Sequence, residues 1–242
     1  MFTVITAVKS TTPTLTHVIP SQGRGSVTAV TSLGDDVFVA RYSSKQVEVY
    51  DAVTLTLQRR LTVPGIGDGL TGLAACPNNN CLYASDWRNN SVHRVELSGS
   101  NAVKKWSVGS YPVGLSVNSE HNLIVACRIA NKLQEYTTHG SLVREICLQA
   151  DPYHAIQLST GDYVFSQYKS PGVVSVVGVD GQVVRSYGQS QTSDVGQMKF
   201  PSSLAVTKND DILVADQGNN RILSINSSLE YSVQWVCVWT SH

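Results

Sequence analysis

The chain has 242 residues, of which 42% are hydrophobic and 15% are charged, and its formal net charge is zero. This composition supports one domain with an ample core, and the low charged fraction is typical of a sheet-rich protein with turns of Ser, Thr, Asn and Gly. A neutral chain without a charged tail has no bulk attraction to nucleic acid, so we expect no DNA partner. The sequence also lacks the pattern of a signal peptide and any apolar run long enough for a membrane span. We therefore expect a cytoplasmic protein with no membrane partner.

Two short β-rich segments come first in the chain, at residues 2–8 and 14–19, with a Thr-Thr-Pro turn between them. Their β-branched residues and the turn predict two neighbouring strands. We expect these strands to lie outside the regular pattern that begins near residue 27.

An altered copy of one segment then recurs every 40 to 49 residues. Each copy pairs a short apolar strand with a second strand that ends at a fixed register position. A period of this length indicates a repeat protein with one structural unit per copy. The five register positions are Arg41, Asp86, Cys127, Gln167 and Asp216. Five complete repeats are therefore predicted.

Each repeat is predicted to contain four short strands. The second copy has apolar segments at 70–75 and 81–85, an alternating segment at 91–97 and a fourth at 102–108, with turn residues between them. No stretch keeps a helical spacing of apolar residues over ten positions. Small residues in the first strand and larger apolar residues in the later ones suit four-stranded sheets packed around an axis. The pattern thus predicts an all-β fold of the β-propeller type.

The fifth copy contains Phe-Pro-Ser-Ser-Leu-Ala-Val at 200–206 and Asp-Ile-Leu-Val-Ala-Asp-Gln-Gly-Asn-Asn-Arg-Ile at 211–222. These two segments resemble the NHL repeat. Residues 112–126 are a weaker match, and residues 82–100 are also similar to the YWTD repeat of receptor propellers. The remaining copies keep the apolar pattern but not the polar signature. Both resemblances imply a six-bladed propeller.

The chain departs from that pattern because five repeats are followed by no sixth inner strand pair. Two arrangements stay open. In the one we favour, residues 1–26 supply outer strands of a partial sixth blade, at the cost of exposed sheet edges. In the other, a five-bladed ring closes and the N-terminal strands lie on its edge. The predicted division is 1–26 for strands that complete or edge the ring, and 27–242 for the NHL-like repeats.

Two cysteines, Cys76 and Cys81, flank the sequence Pro-Asn-Asn-Asn at the end of one predicted hairpin. Their side chains can meet across it, so a disulfide stays open as an alternative to the two reduced thiols expected in the cytoplasm. No second Cys or His pair stands at zinc spacing, which argues against a metal site. Cys127, Cys147 and Cys237 lie in predicted strands and are interpreted as small core residues.

The sequence contains little evidence of catalytic motifs. Residues 67–72 match the dinucleotide fingerprint but lead into a strand, where the fingerprint needs a helix. The six histidines occupy unrelated positions, and the common hydrolase and nucleotide motifs are missing. At the predicted channel mouth only Asp86 and Asp216 are acidic, and we interpret both as turn-forming residues, with Arg221 beside Asp216. No catalytic residue, cofactor or metal is therefore predicted, and a propeller lyase or hydrolase with a metal at the channel mouth stays an alternative.

The loops on one propeller face form the predicted binding surface. Four repeats place an aromatic or basic residue at the turn after the second strand, and Arg, Tyr and Trp are common in binding hot spots. The competing interpretation is that these are solvated turns and packing residues between blades. The predicted binding residues are Arg41, Tyr42, Trp87, Arg88, Tyr111, Arg128, Tyr153, His154, Tyr168 and Lys169.

The sequence therefore predicts a non-catalytic module that presents this face to a macromolecule, with a protein preferred. The NHL resemblance implies recognition domains of larger proteins, including tripartite-motif ubiquitin ligases, that bind proteins or single-stranded RNA. No RING, B-box or coiled-coil segment is present, so a ligase role would need further sequence. The alternative partner is single-stranded RNA, stacked on Trp87, Tyr42 and Tyr168 with Arg and Lys side chains at its phosphates.

Overall fold

The computed structural model describes residues 2–4, 17–19, 25–99, 102–188 and 197–236. Within these ranges the secondary structure is β-strand apart from two single-turn 3-10 helices, Pro77–Asn79 and Gln217–Asn219. The strands form five antiparallel four-stranded sheets and one two-stranded sheet. No helix in these ranges is long and apolar enough to cross a membrane. The prediction of an all-β propeller with five complete repeats is confirmed.

Each four-stranded sheet is one blade, built from four consecutive strands, so that neighbours in sequence are also neighbours in the sheet. The strands of blade 1 are β3 (Val27–Leu33), β4 (Asp36–Arg41), β5 (Gln46–Asp51) and β6 (Leu57–Thr62); of blade 2, β7 (Leu70–Cys76), β8 (Cys81–Asp86), β9 (Ser91–Glu96) and β10 (Val103–Ser107); of blade 3, β11 (Pro112–Val117), β12 (Leu123–Cys127), β13 (Lys132–Tyr136) and β14 (Leu142–Cys147); of blade 4, β15 (His154–Gln157), β16 (Tyr163–Gln167), β17 (Val173–Val177) and β18 (Val183–Tyr187); and of blade 5, β19 (Pro201–Val206), β20 (Ile212–Asp216), β21 (Arg221–Ile225) and β22 (Tyr231–Val236).

The first strand of each blade faces the centre of the molecule. These inner strands pack against one another in chain order and together line a cavity of about 320 Å³. A β-carbon at Gly72 would collide with the carbonyl oxygen of Val113 in the next blade, and one at Gly114 would collide with Tyr153. Glycine is needed where the backbones approach this closely. The crowding explains the small residues predicted for the first strand.

The core consists of apolar layers between successive blades. Phe38 and Leu82 belong to the layer between blades 1 and 2, and equivalent layers follow between each later pair. Full burial of one large apolar side chain contributes roughly 1.5–3 kcal/mol. Because every layer is shared by two blades, the blades stabilise one another and hold their loops in a fixed arrangement.

Blades 1 and 5 are the ends of the series. Among the described strands, the extensive inner contacts run from β3 to β19 in chain order and do not join β19 back to β3. Val30 of β3 and Val206 of β19 are accordingly 44% and 40% exposed, whereas Leu73 of β7 and Leu115 of β11 are buried. The junction between the end blades is therefore looser than the four interior junctions.

Strands β1 (Phe2–Val4) and β2 (His17–Ile19) form the separate two-stranded sheet, with Phe2 opposite Ile19. They are the only parts of the two predicted N-terminal segments within the described residues, and the turn predicted between them lies outside those residues. The two strands do not join any of the five blades. A partial sixth blade built from residues 1–26 stays a prediction, as does the division at residue 27.

Candidate functional site

A buried carboxylate fixes the loop that leads into blade 2. Asp86, the last residue of β8, accepts a hydrogen bond from the backbone N–H of Gly67 at 2.8 Å. It also accepts one from the backbone N–H of Asn89 at 3.2 Å and one from the Asn89 side chain at 2.7 Å. Burial opposes ionisation of Asp86, but these bonds outweigh it and hold the pKa of the carboxyl below its ordinary value. The turn after the second strand is thus tied to the loop before the first.

Blade 5 repeats this arrangement with Asp216. Its carboxylate accepts the Lys199 backbone N–H at 2.7 Å, the Asn219 side-chain amide at 2.8 Å and the Arg221 guanidinium at 2.6 Å. The prediction that Arg221 pairs with Asp216 is confirmed. Both aspartates are completely buried, so each stabilises its own turn and neither faces the solvent as a ligand.

Blades 3 and 1 use different side chains at the same place. In blade 3 the acceptor is Gln134, whose Oε1 takes the backbone N–H of Gly109 at 2.7 Å beside Cys127. In blade 1 the side chain is the donor and the loop is the acceptor, because Arg41 donates to the Gly25 carbonyl at 3.4 Å. Its Nε also donates to Glu48 at 2.8 Å. Arg41 is only 3% exposed, so it lies inside blade 1 and its guanidinium is not presented on the loop face.

Five aromatic rings from blades 2 to 5 lie close together on the loop face, and we call this set the aromatic arc. The Trp87 and Tyr111 ring centroids are 4.7 Å apart. Tyr153 and Tyr168 stack at 4.7 Å, and Tyr168 contacts Phe200 at 5.2 Å. These separations are typical of favourable aromatic pairs. The arc therefore consists of one pair and one triple of rings, and Tyr153 of the triple also lines the cavity.

The repeat explains how these rings meet. Trp87 and Tyr168 each follow the second strand of their blade, and each ring reaches the residue before the inner strand of the next blade, Tyr111 or Phe200. Tyr111 and Phe200 have backbone φ angles of 61° and 52°. Large side chains rarely adopt this left-handed region, which costs on the order of 1–3 kcal/mol. Backbone bonds from Arg128 to the Tyr111 carbonyl, 3.0 Å, and from Phe200 to the Lys169 carbonyl, 2.9 Å, help to hold this geometry.

Basic side chains accompany the rings. The Arg88 guanidinium lies 5.0 Å from the centre of the Trp87 ring and 3.5 Å from Asp68. Arg128 pairs with Asp151 at 3.1 Å. Burial and neighbouring Tyr168 raise the pKa of Tyr153, and Arg128 acts in the opposite direction. Arg128 is therefore close to the middle of the arc.

The lysines of the loop face are placed differently from these arginines. Lys169 and Lys199 are exposed. Neither has an ion-pair partner among the described residues. Each directly adjoins a ring of the triple in sequence, Lys169 after Tyr168 and Lys199 before Phe200.

Two further predicted binding residues stand apart from the arc. Tyr42 is 48% exposed but has no ring contact within the described residues. His154 lines the central cavity, where its Nε2 lies 3.1 Å from the Leu115 carbonyl oxygen and its Nδ1 accepts the Leu204 backbone N–H at 3.4 Å. Burial lowers the pKa of His154 to about 4. The structure thus brings together the predicted residues Trp87, Arg88, Tyr111, Arg128, Tyr153, Tyr168 and Lys169, and separates Arg41, Tyr42 and His154 from them.

Phe200 belongs to the arc but is not among the predicted binding residues. It is 40% exposed and contacts Tyr168. The sequence contains a signal for it, because Phe200 precedes Pro201 as Tyr111 precedes Pro112. Alignment of the residues before each inner strand would have found it.

Residues 198–223 match the family described as the NHL repeat, and no curated protein matches the chain. Among solved structures, virginiamycin B lyase from Staphylococcus aureus is 13% identical over 90% of this chain and 72% of its own, with a TM-score of 0.67. Hydrazine synthase from Kuenenia stuttgartiensis is 16% identical over 83% of this chain and 76% of its own, with a TM-score of 0.60. A protein of unknown function from Bacteroides caccae is 12% identical over 86% and 80%, with a TM-score of 0.64. These likenesses are similarities of fold. The chain is thus a β-propeller of five four-stranded blades whose fifth blade matches the NHL repeat.

Proposed function

We propose that this propeller is a binding module without catalytic chemistry of its own, and that the aromatic arc contacts a protein partner. The observation that carries the proposal is the arc itself, in which rings from four successive blades meet on one face. Aromatic and Arg side chains are the usual anchors of protein interfaces. The left-handed backbone at Tyr111 and Phe200 supports it further, because strain of this kind is commonly retained at functional surfaces.

A protein partner is favoured over single-stranded RNA because the ring faces are already used. Bases stack on free aromatic faces, whereas Tyr168 lies between Tyr153 and Phe200 and the Arg88 guanidinium covers Trp87. Arg88 and Arg128 are also paired with carboxylates, which compete with phosphates. What the arc offers to a partner is ring edges and hydroxyl groups, which suit side chains of a protein.

Site-specific photo-crosslinking tests this proposal. A photoreactive phenylalanine analogue replaces Phe200, and a matched control carries it in place of Lys208, which is exposed in the turn between β19 and β20. We expect protease-sensitive adducts from position 200 in extract of the source cells, lost when Trp87→Ala and Tyr168→Ala are added. Nuclease-sensitive adducts that disappear with the triple change Arg88→Ala, Arg128→Ala and Lys169→Ala would instead identify RNA as the partner.

A propeller lyase is the second candidate, and the fold likeness to virginiamycin B lyase favours it. The central cavity would be its site. His154 is the histidine there, but both of its ring nitrogens are engaged by backbone groups, so it would have to break these bonds to act as a base. No group of three His, Cys, Asp or Glu side chains among the described residues is arranged to hold a metal ion. If the native protein has a lyase activity that the His154→Ala variant lacks, the lyase proposal would replace the binding-module proposal.

A role as the recognition domain of a larger ubiquitin-ligase-type protein, and a cytoplasmic location, stay predictions. The arc supports the first only in that it would provide a recognition surface.

A further inference from the structure

Cys76 and Cys81 face each other at the outer end of the first hairpin of blade 2. They are opposite residues of β7 and β8, and both are free thiols. Opposite residues of antiparallel strands have Cα atoms about 4.5 or about 5.5 Å apart, depending on the type of pair. A disulfide needs about 4.4–6.8 Å. The backbone therefore already holds the two cysteines at bonding separation, whichever type of pair they form.

Hydrogen-bond donors surround the two sulfur atoms. Asn79 Nδ2 lies 3.2 Å from Cys76 Sγ. Burial raises the pKa of the Cys81 thiol, and the nearby Tyr83 hydroxyl and Arg94 guanidinium oppose that rise. Tyr83 Oη and Arg94 Nε are buried and have no hydrogen-bond partner among the described residues. They can therefore stabilise negative charge on Cys81 sulfur when a thiolate forms.

The other described cysteines lack this arrangement. Cys127 lies opposite Pro112 and Lys132, and Cys147 lies opposite Lys132. Burial raises the pKa of Cys127 to about 12. The turn between Cys76 and Cys81, by contrast, is exposed at Pro77, Asn78 and Asn80. Cys76 and Cys81 themselves are completely buried, so a reagent would reach their sulfurs through this exposed turn.

We propose that Cys76 and Cys81 are a redox-active dithiol, which a low-molecular-weight disulfide such as oxidised glutathione converts to an intramolecular disulfide. The Cys81 thiolate attacks one sulfur of the reagent, forms a mixed disulfide and displaces one glutathione thiolate. The Cys76 thiolate then attacks Cys81 sulfur, forms the 76–81 bond and displaces the second glutathione. Two protein thiols are oxidised, one reagent disulfide is reduced to two thiols, and the two protons pass to the departing thiolates. This site is independent of the aromatic arc.

The test equilibrates the native protein with defined ratios of reduced and oxidised glutathione, followed by acid quench, trypsin and mass spectrometry. Residues 61–88 form one tryptic peptide that contains both cysteines and no internal Lys or Arg. We expect this peptide to lose two hydrogen atoms in mass. We also expect an equilibrium constant for disulfide formation at least about tenfold larger in the native protein than in the same chain in denaturant, because the fold holds the cysteines together.

Two variants sharpen the experiment. Cys76→Ser should stop at the mixed disulfide on Cys81, while Cys127→Ser, a matched buried cysteine in blade 3, should leave the 76–81 reaction unchanged. An equilibrium constant in the native protein equal to or below that in denaturant would overturn the proposal. So would a native peptide 61–88 that keeps both thiols under conditions that oxidise the denatured chain. Both results come from the unaltered protein and do not depend on folding of a variant.

Discussion

Blades 2 and 3 fix their equivalent loops with different side chains. The difference shows that the hydrogen-bond acceptor does not have to be charged. In blade 2 the buried Asp86 carboxylate takes three hydrogen bonds from the loop and the turn. In blade 3 that position is Cys127, and the neutral amide of Gln134, on the neighbouring strand, accepts the Gly109 N–H instead. In these two blades the loop N–H has an acceptor that can be charged or neutral, whereas in blade 1 the Arg41 guanidinium donates to the Gly25 carbonyl instead. Each of the following predictions tests this comparison.

The largest effect is expected for Asp86→Ala. The change leaves the Gly67 and Asn89 backbone N–H groups without acceptors, which should lower the free energy of unfolding by about 3 kcal/mol. Urea unfolding followed by tryptophan fluorescence measures this. A loss below about 1 kcal/mol would mean that water replaces the carboxylate and that its hydrogen bonds to the loop are dispensable.

A smaller effect is expected for Gln134→Ala in blade 3. The Gly109 N–H and the Tyr136 hydroxyl lose a neutral acceptor and the partly exposed Glu145 loses a donor, so the free energy of unfolding should fall by about 1–2 kcal/mol. The matched control is Gln46→Ala, whose side chain makes an exposed bond to Thr62 at 3.1 Å and should have little effect. If Gln134→Ala costs as much as Asp86→Ala, the charge makes no difference to this tie.

The pH dependence of stability should also distinguish the two blades. The pKa of Asp86 is lowered in the folded protein, so its ionised form stabilises the fold above the unfolded value of about 3.9. That contribution is lost as the pH falls through the lower, folded pKa. The difference in unfolding free energy between the wild type and Asp86→Asn should therefore shrink as the pH falls from 7 to 3. The Gln134→Ala difference should change less, and only through Glu145, because the Gln134 amide donates to that carboxylate and helps to lower its pKa. If the two differences in unfolding free energy changed with pH in the same way, the lowered pKa would not belong to Asp86.

The smallest effect on stability is expected for Tyr111→Gly. Glycine adopts the left-handed backbone without strain, which should offset much of the lost contact with Trp87 and keep the free energy of unfolding within about 1 kcal/mol of the wild type. Crosslinking from position 200 to the protein partner should nevertheless fall. A large loss of stability would indicate that the arc is packing between blades, the competing interpretation of these residues.

The sequence was sufficient to predict features that recur with the repeat. The five register positions, the strand pattern and the pairing of Arg221 with Asp216 follow from local residue patterns and turn chemistry, and the structure contains them. Trp87 and Tyr168 were likewise identifiable, because they follow the second strand in equivalent copies. Periodicity averages over copies, so it specifies a backbone position well.

Features that depend on where one side chain points could not be predicted in this way. Tyr153 and His154 are adjacent, yet the Tyr153 ring joins the arc whereas the His154 ring is bonded to backbone groups of Leu115 and Leu204. Arg41 occupies a turn position in the alignment, but Glu48 on the next strand draws its guanidinium inside the blade. Such partners come from a different strand, and no single copy of the repeat reveals them.

The loop ties also have a consequence for how this surface can change. Each described tie lies within its own blade, from Gly67 to Asp86, from Gly109 to Gln134 and from Lys199 to Asp216. An exchange of the residues displayed by one blade therefore leaves the anchors of the others intact. The rings themselves meet across blades, Trp87 with Tyr111 and Tyr168 with Phe200, so the displayed residues can be exchanged pair by pair while the loops keep their hydrogen bonds.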